Sequence, residues 1–156
     1  MADPQKRLEQ MIRRLREKGG RLTPQRLAML RIIAESKGHP SAEQIYEQIK
    51  ADFPTTSLAT IYKTLSLLKN LGEVLELNLA GVGSRFDGNK PYPHPHVICT
   101  KCGQIIDPEF EPMAGISQEI ARQTGYKITH QQLNFFGLCP TCQKEGKCQN
   151  KEEVLR

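Results

Sequence analysis

The chain has 156 residues, 38% of them hydrophobic and 25% charged, with a formal net charge of +5; this balance excludes collagen-like, low-complexity and disordered-tail classes and suits a globular protein. No apolar stretch approaches the roughly 20 residues that a bilayer crossing needs, and Met1–Gln10 is too polar for a secretory signal, so a cytoplasmic protein with no membrane attachment is expected. The charge is uneven: nine Lys/Arg against three acids give residues 1–31 a net +6, whereas residues 89–156 carry +1, which places the footprint for an anionic partner at the N-terminal end.

Leu8, Met11, Ile12 and Leu15 recur at the spacing of one helical stripe and predict a helix over about 5–18, ended by Gly19-Gly20. Thr23-Pro24 opens a second helix, because threonine caps free backbone amides and proline fits the first helical position; Leu27, Leu30 and Ile33 are its buried stripe. Ser41 with Gln44 forms a capping box ahead of Ile45, Tyr46 and Ile49. Ser57 caps a fourth helix to about Leu71, with Leu58, Ile61, Leu65 and Leu68 inward and Ala59, Tyr62, Lys63 and Ser66 outward. Leu75, Leu77 and Leu79 then alternate with polar residues, and Ala80–Gly83 turns the chain into a partner strand, Ser84–Asp87. Helices followed by a hairpin are the order of a winged helix-turn-helix.

Residues 88–93 are dense in structure breakers and read as a linker. Beyond it, His96–Cys99 and Gln104–Asp107 predict two strands joined at a cysteine turn, Met113–Thr124 a helix stopped by Gly125, and Tyr126–Phe136 further strand; the segment from Gln143 is polar and expected to fray. The expected organisation is a DNA-binding unit over 1–87, a hinge over 88–95 and a second unit over 96–156.

Cys99-Thr-Lys-Cys102 and Cys139-Pro-Thr-Cys142 are the strongest chemical signal, since two such turns can each offer two thiolates to one tetrahedral ion. Zinc fits: it takes soft sulfur ligands without redox chemistry, and four protein ligands leave no open position, so the site is expected to be structural. One CxxC would suffice for a redox motif, and no βαβ unit surrounds either pair. Cys148 has no sequence partner and reads as an exposed thiol.

A second cluster has harder donors. His94-Pro-His96 places two imidazoles on one side of an extended segment; Asp87 and Asp107 flank it and His39 lies upstream. Three nitrogens and two carboxylates suit Fe(II) or Mn(II), although His39 before Pro40 also reads as an ordinary turn histidine and either aspartate as a surface charge. His130 has no assigned role. On the fourth helix Thr60, Tyr62, Lys63 and Ser66 could meet bases or phosphates in a major groove, and Arg21 a phosphate or minor groove; the alternative is a partly exposed helix with no ligand.

Taken in order, Arg21–Arg26 (RLTPQR), His39-Pro40, Ser57–Leu65 (SLATIYKTL), Ser84–Asp87 (SRFD), His94–Cys99 (HPHVIC) and Cys102–Asp107 (CGQIID) resemble the ferric uptake regulator family over about residues 5–143. The resemblance implies an α+β homodimer: an N-terminal winged helix-turn-helix domain and a small α/β dimerisation domain holding the four-cysteine zinc. It also implies that His39, Asp87, His94, His96 and Asp107 form one regulatory metal site, with His39 and His94 as oxidation targets. Within the family the chain looks most similar to the peroxide-sensing repressors, because Asp107 stands where iron-uptake regulators typically carry glutamate. Pro93 and Pro95 stand where those regulators often have a histidine and an acid of a further metal site.

The expected function is a metal-dependent repressor of a palindromic duplex DNA operator, sensing peroxide through Fe(II)-catalysed histidine oxidation. The alternatives are an iron, zinc or manganese uptake repressor that responds to metal level only, and a zinc-ribbon interaction module that does not bind DNA. An enzyme is not expected, nor a small-molecule substrate: zinc hydrolases and deaminases need an open ion position and a general acid/base such as His-x-Glu, whereas Pro95 and Val97 follow the paired histidines.

Overall fold

In the computed structural model, which describes residues 3–109 and 115–145, the chain divides into one unit up to Pro91 and a second from Tyr92 onward. The first unit holds α1 (Pro4–Glu17), α2 (Pro24–Glu35), α3 (Ala42–Ile49), α4 (Leu58–Asn70) and the antiparallel hairpin β1 (Leu75–Leu79) and β2 (Gly83–Asp87). Each helix start is fixed by a polar side chain: Asp3, Thr23, Ser41 and Ser57 accept from the first-turn amides, and Gln44 returns the bond at Ser41. Such caps contribute about 1 kcal/mol apiece. Met11, Leu15, Leu30, Ile33, Ile45, Ile49, Ile61, Leu65 and Leu68 meet in one core, closed from the hairpin side by Val74 and Phe86. Ile12, Leu27, Tyr46 and Leu58, expected on the inward stripes, are only partly buried at its rim. Helices plus wing are a winged helix-turn-helix.

Arg7 departs from the solvated basic face that composition suggests. It is buried, donating to Glu73 Oε2 at 2.5 Å, to the Glu73 carbonyl at 2.6 Å and to the Gly88 carbonyl at 2.5 Å. Gly88 sits so close to the core that a Cβ would overlap Ile33 Cγ2 and come within 2.9 Å of Met11 Cε. Gly88→Ala is therefore expected to cost about 1–3 kcal/mol by overpacking, read as a lowered thermal midpoint; an unchanged melting curve would refute this packing.

In the second unit β3 (Pro95–Cys99) lies between antiparallel β4 (Ile105–Ile106) and parallel β5 (Leu133–Gly137), accompanied by α5 (Ile116–Thr124) and α6 (Pro140–Glu145). The expected strand over Tyr126–Phe136 forms only from Leu133: β3 supplies backbone partners for Leu133–Gly137, and no strand pairs with 126–132 among the described residues. The α6 turn was not expected. The proposed start of α5 at Met113 and the reading of Cys148 fall outside the described residues. No helix among the described residues is long and apolar enough to cross a membrane.

Candidate metal centres

The pairing of β3 with β5 assembles the cysteine cluster. Cys99 ends β3 opposite Gly137, and the Thr100 amide donates to the Gly137 carbonyl at 2.8 Å, so the turns after both strands open at the same end of the sheet. Gly103, at φ +75°, folds the first turn back and presents Cys102; α6 presents Cys142. All four sulfurs lie within 4.8 Å of one another, with Cys102 and Cys139 3.8 Å apart, and these four cysteines form no disulfide. Four thiolates at about 2.3 Å from a tetrahedral ion stand about 3.8 Å from each other, so the cluster suits a structural zinc. Backbone amides support the sulfurs: Cys139 N donates to Cys99 Sγ at 3.3 Å and Cys142 N to Cys139 Sγ at 3.4 Å. Burial opposes ionisation of Cys99, but hydrogen bonds from the backbone at Cys102, Cys139 and Lys101 and from the Cys102 side chain together outweigh it and lower the thiol to about 6. The lowering favours the thiolate, the form that ligates metal.

The harder donors form one group in each unit. In the first, His39 adopts the left-handed backbone at φ 53°, a conformation that costs a non-glycine residue of order 1 kcal/mol. The bend is anchored by the Phe86 amide, which donates to the Pro40 carbonyl at 3.0 Å. That bond sets the end of β2 beside the histidine, so His39 Nε2 lies 3.2 Å from Asp87 Oδ2, both residues buried. The other carboxylate oxygen accepts from the amides of Asn89 at 2.8 Å and Lys90 at 3.1 Å, which orients the group.

In the second unit His94 Nδ1 lies 2.7 Å from the Tyr92 carbonyl. A carbonyl only accepts, so this nitrogen is the donor, which leaves Nε2 as the atom that would ligate an ion. Nε2 is 3.3 Å from Asp107 Oδ2, and His96 Nε2 is 3.8 Å from Asp107 Oδ1, with the two rings 4.3 Å apart. His96 is 1% exposed, and the donor atoms of His94, His96 and Asp107 fall within 4.8 Å of one another, close enough to hold an ion. Imidazole and carboxylate donors of this kind suit Fe(II) or Mn(II).

On α4, Thr60, Tyr62, Lys63 and Ser66 are exposed, as is Arg21 ahead of α2. The Tyr62 hydroxyl donates to Glu43 Oε1 at 2.7 Å, which raises the phenol pKa and lowers that of the carboxyl. Thr60 Oγ1 lies 3.0 Å from Ser57 Oγ within the helix cap. The roles of Glu43 and of the Tyr92 carbonyl carry no sequence signal, since neither residue type nor spacing marks an orienting partner. His130 is exposed.

Comparison with known proteins adds to this geometry. The profile described as the ferric uptake regulator family matches residues 17–136. The chain is similar to the peroxide-responsive repressor PerR of Staphylococcus epidermidis, at 40% identity over 139 residues, covering 89% of this chain and 92% of the relative. A crystal structure of the Campylobacter jejuni peroxide stress regulator is 33% identical with a TM-score of 0.65, covering 86% of this chain and 98% of the other. A zinc uptake regulator complexed with zinc and DNA is 25% identical with a TM-score of 0.69, covering 95% and 100%.

Proposed function

Because the chain belongs to the ferric uptake regulator family, we propose that it is a metal-dependent, DNA-binding transcriptional repressor of the peroxide-sensing branch, acting as a homodimer on a palindromic operator. The observation that carries this reading is the recurrence of imidazole beside carboxylate before and after the interunit tether: His39 with Asp87, then His94 and His96 with Asp107. In this reading the five side chains ligate one Fe(II) or Mn(II), so that the occupied state selects a single arrangement of the two units. The dimer then holds two α4 helices at the spacing of two half-sites. Thr60, Tyr62, Lys63 and Ser66 meet the major groove, and Arg21 the backbone or minor groove. Exposed Phe135 and Phe136 on the edge strand β5 and Ile106 on β4 support a second copy as partner of the second unit.

Held by these imidazoles and carboxylates, Fe(II) would supply an electron to peroxide, and the oxidant so formed would arise beside the rings. His39 and His94 are the side chains proposed to take up oxygen. An oxidised ring is a poor donor, the arrangement is released and repression ends. The relatives named as peroxide-responsive repressors and the short carboxylate of Asp107 support this branch.

The test is peptide mass spectrometry of protein loaded with Fe(II) or Mn(II) and then exposed to peroxide. One added oxygen is expected on the peptides containing His39 or His94 with iron alone. Unmodified histidines with both metals would replace this reading with that of an uptake repressor responding to metal level.

A further inference from the structure

The amino ends of α2 and α4 open into one cavity of about 380 Å³ in the first unit, whose wall includes Arg21, Thr23, Arg26, Thr55, Thr56 and Thr60. Helix amino ends carry partial positive charge and two guanidiniums add to it; none of the residues lining the cavity is acidic among the described residues. Arg26 donates through Nη1 to the Arg21 carbonyl at 2.7 Å, which fixes its plane and spends one of five N–H donors. The caps are already made: Thr23 Oγ1 accepts from Arg26 N at 3.3 Å, and Ser57 Oγ accepts from Thr60 N at 3.2 Å. Thr56 is the exception. It is 7% exposed, its amide is spent on the Phe53 carbonyl at 3.0 Å, and its hydroxyl finds no hydrogen-bond partner among the described residues. A buried hydroxyl without a partner, on a residue that lines a positive cavity, serves an acceptor seated there once a turn about χ1 brings it to the wall.

We propose that this cavity is an anion pocket for a single phosphate group, held by the Thr56 hydroxyl, the Arg26 guanidinium and the converging helix ends. The proposal rests on the DNA-binding reading for its occupant, a backbone phosphodiester of the duplex. It adds Thr56 and Arg26, which positioning along α4 alone does not single out. A phosphate seated there ties α2 and the start of α4 to one point of the backbone and so sets the depth at which α4 enters the groove. Because the contact is to phosphate, it acts on every duplex sequence alike.

The experiment uses the full-length, zinc- and manganese-loaded protein and a mixed-sequence duplex, with dissociation constants measured by fluorescence anisotropy across a salt series. Thr56→Val, which keeps the shape and removes the hydroxyl, is expected to weaken binding about 5- to 10-fold at every salt concentration. Thr56→Ser is expected to restore it. Arg26→Gln is expected to lower the slope of log affinity against log salt by about 0.9 for each pocket engaged. A parallel titration with inorganic phosphate, followed through the amide resonances of Thr55 and Thr56, separates the sources. Weakened duplex binding by the variants assigns the pocket to the backbone. Unchanged duplex binding with phosphate shifts that vanish in Thr56→Val assigns it to a free anion. Duplex binding unchanged by either variant, with no phosphate shifts, overturns the pocket and leaves the DNA-binding reading standing. A wild-type protein that binds no duplex overturns that reading, and the phosphate titration then decides the pocket by itself.

Discussion

A Cys142→Ser variant is expected to emerge without zinc and to lose the cooperative folding of the second unit while the first stays folded. Cys142 is 3% exposed and sits in a unit with little apolar interior among the described residues: Ile98 and Ile105 are buried, whereas Ile106, Ile116, Ile120, Phe135 and Phe136 are exposed. A core of that size cannot offset the chain entropy of some fifty ordered residues, and small units of this kind depend on a staple. A structural zinc contributes about 10–16 kcal/mol at neutral pH, comparable to the whole stability of an ordinary domain. Removing one of four thiolates leaves an incomplete site that competes poorly for the ion. The measurements are zinc content by a metallochromic assay and limited proteolysis, in which the fragment up to Pro91 should survive and the remainder should not. The first unit has its own continuous core, which is why it survives. One zinc per chain with an unaltered digestion pattern would show that the sulfur cluster is not what holds this unit.

The second large effect is expected from His96→Ala. His96 lies on β3, buried, with Asp107 at 3.8 Å and the His94 ring at 4.3 Å. Loss of a group that merely orients a ligand lowers metal affinity about 10- to 100-fold, and loss of a donor atom should reach or exceed the top of that range. The Mn(II) dissociation constant, measured by calorimetry, is therefore expected to rise at least about 100-fold. Duplex affinity should become independent of added manganese. His96→Asn, which keeps polarity and much of the volume, guards against a packing artefact, and zinc content and melting temperature should stay near those of the unaltered protein in both variants. Manganese affinity within a factor of about two of the unaltered protein would remove His96 from the ligand set.

What the sequence made legible is what local chemistry determines. Thr23, Ser41 with Gln44, and Ser57 announce helix starts because a cap is an interaction over three residues. The cysteine pairs announce a metal because their spacing already defines half a tetrahedron. The segment 126–132 misled because aromatic and β-branched composition favours a strand only where a neighbouring strand offers hydrogen bonds, and β3 pairs from Leu133 onward. Arg7 and Glu73, separated by 66 positions, carry no pattern that distinguishes a buried pair from two surface charges. Thr56 was hidden for a similar reason: beside the capping serine it reads as one more loop hydroxyl, and only the cavity wall singles it out.

The anchoring of Gly88 by Arg7, and of the Asn89 and Lys90 amides by Asp87, carries the hydrogen-bonded chain of the first unit up to Lys90, so that only Pro91, Tyr92 and Pro93 separate it from His94. The two prolines hold φ near one value, and an extended three-residue segment reaches only about 9 Å. If the five side chains ligate one ion as proposed, donors borne on either side of so short a leash would meet at an effective concentration in the millimolar range or above. On that proposal each half of the donor set would be a weak chelator on its own and still contribute to a tight composite one. On the same proposal a flexible insert lengthening the leash would dilute one half away from the other, so that metal sensitivity would be set partly by tether length, without any change of ligand.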